Sequence, residues 1–147
     1  MKIVLDTTIL VRANEHSEGL ARDLLLSIVH SKHRLVLSNE ILRELARVLR
    51  YPRLRDFYRL GESEVFDYVS YLREFAEVVE LDPLVVAPIR DVNDIIVMQT
   101  AIIGDAEIVC TRDEDFFEDP ACAYLRRLGI TVMSDVDLIR VLRSGAV

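Results

Sequence analysis

Short apolar runs alternate along the chain with longer segments in which apolar residues recur at the spacing of a helix face. The short runs predict strands at residues 2–5, 34–37, 77–80, 107–111 and 130–133. The longer segments predict helices at residues 18–30, 39–50, 53–60, 62–77, 93–103 and 135–143. Strands that alternate with helices favour a parallel sheet covered on both faces. We therefore expect an α/β domain over residues 1–147, with three α/β/α layers and a mostly parallel sheet of about five strands.

Residues at the boundaries support these elements. Pro52 ends the helix over 39–50, because the residue before a proline avoids the α region. Gly61 separates two helices, and Gly104 can end the helix over 93–103, which is apolar nearly all round and is expected to be buried. Three serines precede predicted helices and can cap them: Ser17, Ser38 and Ser134.

The composition narrows the class of protein. A chain of 147 residues that is 51% hydrophobic suits one globular domain, and 5 Gly and 4 Pro exclude collagen-like and low-complexity classes. No apolar run approaches the ~18 residues of a membrane span. Asp6 interrupts the first apolar run, which argues against a signal peptide. We therefore expect a cytoplasmic protein in which Cys110 and Cys122 stay reduced.

The net charge of −7 disfavours binding of nucleic acid through bulk charge. It is compatible with a local basic strip, or with an acidic site that a metal ion neutralises. The histidines lack the spacing of a zinc motif.

Four separate segments each place a carboxylate at the same predicted edge of the sheet. Asp6 follows the first strand, Glu44 lies on the helix after the second, Asp94 begins the buried helix, and Asp113 follows the fourth strand. Because the carboxyl ends of parallel strands share an edge, we expect these side chains to converge. A cluster of oxygen ligands without His or Lys suits Mg²⁺ or Mn²⁺ rather than zinc.

Each acid also has an ordinary structural explanation. Asp6 can end a strand, Asp94 can stabilise a helix N-terminus, and Asp113 and Asp115 can form a turn. Glu44 alone is an ordinary surface residue, although a helical wheel places it at the edge of the apolar stripe. Convergence of all these acids at one edge favours a functional site.

Four stretches match one known family in order. They are IVLDTTILVRA at 3–13, LSNEILRELARVLRYP at 37–52, RDVNDIIVMQTAIIGDAEIVCTRDEDFF at 90–117 and LGITVMSDVDLI at 128–139. Together they resemble the PIN domain family, in particular the VapC-like ribonuclease toxins of toxin–antitoxin pairs. The resemblance implies a PIN-like form of the three-layer fold and a Mg²⁺- or Mn²⁺-dependent endoribonuclease. It also implies a cognate antitoxin and a homodimer or higher homo-oligomer.

The resemblance assigns roles to residues of this chain. The implied catalytic, metal-binding acids are Asp6, Glu44, Asp94 and Asp113. Asp115 would be an auxiliary metal-binding acid, and Thr7 and Thr111 would be supporting hydroxyls. The chain departs from the family pattern at Thr8, Asn93 and Arg112. Asn93 removes one carboxylate, and Arg112 adds a cation that can contact phosphate.

A cluster of arginines provides candidate contacts to RNA. In addition to Arg112, the candidates are Arg43, Arg47, Arg50 and Arg53, interleaved with aromatic residues. The alternative is that these arginines form the solvated face of a helix. The helical pair over 53–77 also carries more aromatic and aliphatic residues than it can easily bury, so some of them are candidates for a homodimer or antitoxin interface. The alternative is that they pack onto the sheet of their own domain.

A phosphatase, a receiver domain and a non-catalytic binding module compete with the nuclease. A haloacid-dehalogenase phosphatase and a receiver domain both require a lysine near the site, and neither Lys2 nor Lys32 is suitably placed. A non-catalytic PIN-like module that binds RNA or a partner remains the alternative, although such a module has no need of the four acids.

Overall fold

A computed structural model describes residues 1–145, in which five parallel strands form one sheet. The strands are β1 (Lys2–Leu5), β2 (Arg34–Ser38), β3 (Glu77–Val79), β4 (Ile108–Cys110) and β5 (Thr131–Met133). Their order is β3-β2-β1-β4-β5, and Ile3 of β1 pairs with Leu35 on one side and Ile108 on the other. The order of the strands reverses at β1, and this is where open parallel sheets bind their ligands.

The helices cover the sheet in the expected three-layer α/β/α arrangement. They are α1 (Thr7–Arg12), α2 (Leu20–Val29), α3 (Asn39–Leu49), α4 (Pro52–Tyr58), α5 (Glu62–Phe75), α6 (Val92–Ile103), α7 (Ala121–Arg127) and α8 (Asp135–Ser144). A short 3₁₀ turn, Glu114–Phe116, follows β4. No helix in residues 1–145 is long and apolar enough to cross a membrane.

The core lies around β1 and α6. Ile3, Val4 and Leu5 are fully buried, because β1 is the central strand and is covered on both faces. Helix α6 packs against β1, β2 and β4 and buries six of its residues, which confirms the prediction of a buried helix. Cys110, which is buried, and Cys122 form no disulfide with each other.

The capping predictions are largely confirmed. Ser38 Oγ accepts the Ile41 N–H, and Ser134 Oγ accepts the Asp137 N–H, both at 3.2 Å. Gly61 is the N-cap of α5. The predicted Ser17 cap is wrong: α2 begins at Leu20 with Gly19 as its N-cap. The Ser17 hydroxyl instead accepts the Gly19 N–H and forms a turn before the helix.

Helix α1 was not predicted from the sequence. Its six residues, TTILVR, are too few to show a helical period, and its β-branched residues resemble a continued strand. The chain turns into this helix at Asp6, directly after the carboxyl end of β1. The Leu10 N–H then bonds to the Asp6 carbonyl at 3.0 Å, and Ile9 and Leu10 are fully buried.

The helical pair α4 and α5 is only partly buried. Its buried residues are Val65, Tyr68 and Leu72, whereas the Phe57, Phe66 and Phe75 side chains are exposed. This partition agrees with the expectation that the pair carries more apolar surface than it can bury.

Tyr68 ties α5 to the helix that follows the first strand. Its hydroxyl donates to the Leu10 carbonyl at 2.6 Å in the interior. We expect Tyr68→Phe to lower the free energy of unfolding by about 1 kcal/mol, because a buried hydrogen bond is lost. Urea unfolding measures this change. Tyr71→Phe is the matched control, since the Tyr71 hydroxyl forms no hydrogen bond among residues 1–145. An equal change in the free energy of unfolding for the two variants would contradict a stabilising role of the Tyr68–Leu10 hydrogen bond.

Candidate active site

A cleft of about 570 Å³ opens at the carboxyl edge of the sheet, beside the ends of β1 and β4. The four predicted catalytic acids line it together, and they come from four different segments. The lining residues are Asp6, Thr7, Thr8, Val11, Arg12, Glu44, Val48, Asp91, Asn93, Asp94, Arg112 and Asp113. The expected convergence of Asp6, Glu44, Asp94 and Asp113 is therefore found. No lysine is among these lining residues, in keeping with the objection to a phosphatase or receiver domain.

Asp6 is held at the end of β1 by the neighbouring strand. Its N–H donates to the Cys110 carbonyl at 3.0 Å, and its Oδ2 accepts the Thr111 hydroxyl at 2.7 Å. Burial raises the pKa of Asp6 and repulsion from Asp113 adds to the increase, whereas the Thr111 hydrogen bond opposes it. Thr111 therefore orients the Asp6 carboxylate and favours its charged form. Thr7 lines the cleft as the first residue of α1.

Asp94 is the most perturbed acid of the cleft. It lies in the first turn of α6, whose N-cap Asp91 accepts the N–H groups of Asn93 and Asp94 at 2.9 and 3.4 Å. Burial, followed by the neighbouring Asp113, raises the pKa of Asp94 to about 7. Its Oδ2 atom is buried and has no hydrogen-bond partner among the described residues. A buried acceptor without a partner is unfavourable, and a cation would satisfy it.

Asp113 and Asp115 lie side by side after β4. The Thr111 Oγ1 atom accepts the Asp113 N–H at 3.0 Å, and Asp113 Oδ1 accepts the Asp115 N–H at 2.9 Å. One oxygen from each of Asp94, Asp113 and Asp115 lies within 4.8 Å of the others, a spacing that a metal ion can bridge. Asp115 does not line the main cleft and faces a neighbouring cavity of about 580 Å³ instead.

Glu44 reaches the cleft from α3, as the helical wheel predicted. Its side chain is only 14% exposed, but both of its oxygens accept hydrogen bonds from Arg47, at 2.7 to 3.1 Å. Arg47 also lies over the Tyr51 ring and contacts the Tyr51 hydroxyl. Glu44 therefore lies at the cleft but is already paired.

The predicted RNA-binding arginines differ in their surroundings. Arg43 and Arg50 are exposed but lie near Glu40 at 3.9 Å and Glu62 at 3.0 Å, respectively. Arg53 is exposed and forms no ion pair among residues 1–145. Arg112 is the predicted arginine that lines the cleft itself. The exposure of the helical arginines fits a solvated face as well as a contact surface.

Two charged residues at the cleft, Arg12 and Asp135, were not among the predicted site residues. Asp135 begins α8, and its side chain is only 1% exposed. It lies between two arginines of the cleft wall, with Arg12 Nη2 at 3.4 Å and Arg112 Nε at 3.3 Å. The Cys110 thiol lies nearby: burial raises its pKa to about 12, and the charges of Asp135 and Asp6 contribute. Residues 12 and 135 are too far apart in sequence for any local pattern to connect them.

The residues of the cleft fit a hard divalent cation. All the candidate ligands are carboxylate oxygens, which Mg²⁺ and Mn²⁺ prefer. The buried Asp94 Oδ2 atom without a partner is the observation that supports this fit. A second acidic group, formed by Glu15, His16 and Glu64, lies elsewhere. There the imidazole is already engaged, by Glu64 on one nitrogen and by the Tyr58 carbonyl at 2.7 Å on the other.

Comparisons with known proteins bear on the family and the fold. A family model described as PIN domain matches residues 2–115. No curated protein matches the chain. One solved structure that matches is the crystal structure of VapBC2 from Rickettsia felis bound to a DNA fragment from their promoter. The TM-score is 0.58 at 14% sequence identity, and the match covers 91% of this chain and 98% of that one. At this identity the likeness shows the fold.

The pKa of Asp94 predicts how stability depends on pH in excess EDTA. A folded pKa of about 7, above the ordinary 3.8, means that the folded state retains a proton that the unfolded state has lost. The stability of the wild type should therefore fall as the pH rises from about 4 to about 7, relative to Asp94→Asn. Thermal unfolding across this range measures the difference.

Asp56→Asn is the control for this pH series. It removes a carboxylate from the exposed face of α4, and its curve should run parallel to that of the wild type. Parallel curves for the wild type and Asp94→Asn would show that Asp94 is not perturbed.

Proposed function

The chain belongs to the PIN domain family, and we propose that it is a metal-dependent endoribonuclease, the toxin of a toxin–antitoxin pair. The observation that carries the proposal is the convergence of Asp6, Asp94 and Asp113 in one cleft, where a buried Asp94 oxygen lacks a partner. This arrangement is unfavourable for the folded protein alone, because carboxylates placed together repel one another. A role in binding cations accounts for it.

The proposed ligands of Mg²⁺ or Mn²⁺ are Asp6, Asp94 and Asp113, with Glu44 at the α3 side and Asp115 as an auxiliary acid. When bound, the cation supplies positive charge that stabilises the phosphate group in the transition state of hydrolysis. Thr111 holds the Asp6 carboxylate in place, and Asp91 fixes the start of α6 and therefore the position of Asp94. Glu44 would have to release Arg47 in order to take part.

The proposed substrate is a single-stranded or looped segment of RNA. Arg112 lines the cleft and can contact a backbone phosphate. The exposed Arg43 and Arg47 lie on α3, Arg50 directly follows that helix, and Arg53 lies on α4. Of these four, Arg53 is the one without an ion pair among the described residues, so it is the best placed to bind RNA.

The proposed protein partners are an antitoxin and a second copy of the chain. The solved VapBC2 structure is of a complex bound to promoter DNA, which supports an antitoxin as partner. The exposed Phe57, Phe66 and Phe75 side chains supply apolar surface for such contacts. A protein that cleaves RNA and pairs with an antitoxin would act in the cytoplasm.

A non-catalytic PIN-like module that binds RNA or a partner is the competing proposal. It does not require a divalent cation, so it leaves the clustered acids and the Asp94 oxygen without a role. Titration with Mn²⁺ separates the two proposals, because only the nuclease needs a site in the cleft.

Cleavage of a labelled RNA pool tests the nuclease proposal directly. With Mn²⁺ or Mg²⁺, we expect the wild type to cut RNA and Asp94→Asn to cut at least about 100-fold more slowly, since a ligand for the metal is lost. Excess EDTA should abolish cleavage. Asp56→Asn, on the exposed face of α4, should cut like the wild type.

Two results would overturn the nuclease proposal. One is full cleavage in excess EDTA. The other is absence of cleavage by a folded wild-type protein that binds Mn²⁺ and RNA, which would favour the binding module.

The arginines of α3 and α4 give a second prediction. Arg53→Gln should weaken RNA binding severalfold, whereas Arg50→Gln should change it less, because Glu62 already neutralises that guanidinium. Fluorescence anisotropy with a labelled oligonucleotide measures both affinities. Unchanged binding by Arg53→Gln would show that these arginines form only a solvated face.

A further inference from the structure

We infer that Arg12 and Arg112 form a two-armed clamp for a backbone phosphate of the substrate, and that Asp135 is the positioning residue that holds both arms. The inference deepens the proposed nuclease function and rests on it for the identity of the substrate. It assigns a role to two residues, Arg12 and Asp135, that the family resemblance leaves without one.

The geometry of the clamp comes from three separate segments. Arg12 ends α1, Arg112 lies between β4 and the 3₁₀ turn, and Asp135 begins α8. The carboxylate divides its oxygens between the arms: Oδ2 lies 3.4 Å from Arg12 Nη2, and Oδ1 lies 3.3 Å from Arg112 Nε. One buried anion therefore orients two cations that are 100 residues apart in sequence.

Asp135 is well suited to hold the arms. Its side chain is only 1% exposed, and the N-terminus of α8 favours a negative charge there. The adjacent Ser134 caps the helix and fixes its first turn. Because a buried carboxylate needs its partners, the arginines cannot move away from it without leaving an uncompensated charge.

The arms remain able to bind a ligand. The Arg12 and Arg112 side chains are 36% and 59% exposed, and both line the cleft. Each arginine has five N–H donors in a fixed fork, and Asp135 engages only part of each fork. Donors therefore remain on both guanidinium groups for the oxygens of a phosphate.

The charges of the cleft explain why a phosphate would need this clamp. Five lining residues are acidic: Asp6, Glu44, Asp91, Asp94 and Asp113. Arg12 and Arg112 are the only cationic side chains that line the cleft among the described residues. An RNA backbone that approaches the acids is repelled by them, and the two arginines offset that repulsion beside the proposed reacting centre.

RNA binding in excess EDTA tests the arms without depending on cleavage. The probe is a fluorescent single-stranded oligoribonucleotide, and anisotropy gives Kd at several salt concentrations. We expect Arg12→Gln and Arg112→Gln each to raise Kd about tenfold, as for the loss of a charge-assisted hydrogen bond. Each should also reduce the slope of log Kd against log salt by about 0.7, as for one lost phosphate contact. Arg140→Gln, on the exposed face of α8, is the control and should change Kd less than twofold.

Asp135→Asn tests the positioning role through the sign of its effect. If Asp135 holds the arms, the variant should weaken RNA binding severalfold even though it removes a negative charge. With Mn²⁺ and RNA it should raise KM more than it lowers kcat. Asp137→Asn makes the same charge change two residues away on an exposed side chain and should leave binding unchanged or slightly tighter. Tighter binding by Asp135→Asn would overturn the positioning role.

Circular dichroism checks that each variant folds. If Asp135→Asn does not fold, the two arginine variants decide the proposal. If the wild type cleaves RNA and both arginine variants bind RNA as tightly as the wild type does, the clamp is overturned. The nuclease proposal then stands. The opposite result is also possible: both arginine variants bind RNA more weakly than the wild type, and the wild type binds RNA but does not cleave it. That result would support the clamp and overturn the nuclease.

Discussion

Repulsion between carboxylates at one edge of the sheet is the constraint on which the rest of the site depends. β1 and β4 are adjacent and parallel, so Asp6 and Asp113, which follow them, emerge side by side, and α6 places Asp94 against both. Burial raises the pKa of Asp6 and of Asp94, because the charged forms lose water while facing like charges. The apolar core beneath the edge holds the acids together against this repulsion. A divalent cation would convert the unfavourable cluster into a binding site.

The cleft holds two kinds of charged group. Thr111 bonds to Asp6, and an Asp91 cap begins the helix of Asp94, so the acids have little freedom to separate. Asp135 holds Arg12 and Arg112, which also line the cleft. A phosphodiester is itself negatively charged, and it can approach the acids only if positive charge is supplied there. In our account, cations bound by the acids and the paired arginines supply that charge together.

The sequence predicted most of the fold and only part of the site, for physical reasons. The five strands and the longer helices have apolar periods that are visible locally, and the acids at strand ends follow from the topology of a parallel sheet. Helix α1 was missed because its six residues, most of them β-branched, show no helical period. Glu44 and Arg47 lie three residues apart on one helix. The helical wheel predicted the face on which each residue lies, but not the ion pair between their side chains. Arg12 and Asp135 meet through tertiary packing alone, so no local pattern could connect them.

Location of the cation tests the central claim most directly. Crystals grown with Mn²⁺, measured at a wavelength where manganese scatters anomalously, would show the ion as a peak in an anomalous difference map. Our account predicts a peak in the cleft that contacts the carboxylates of Asp6, Asp94 and Asp113, and its loss in Asp94→Asn. A cleft without a peak at saturating Mn²⁺, or a peak only at Glu15, His16 and Glu64, would contradict the account.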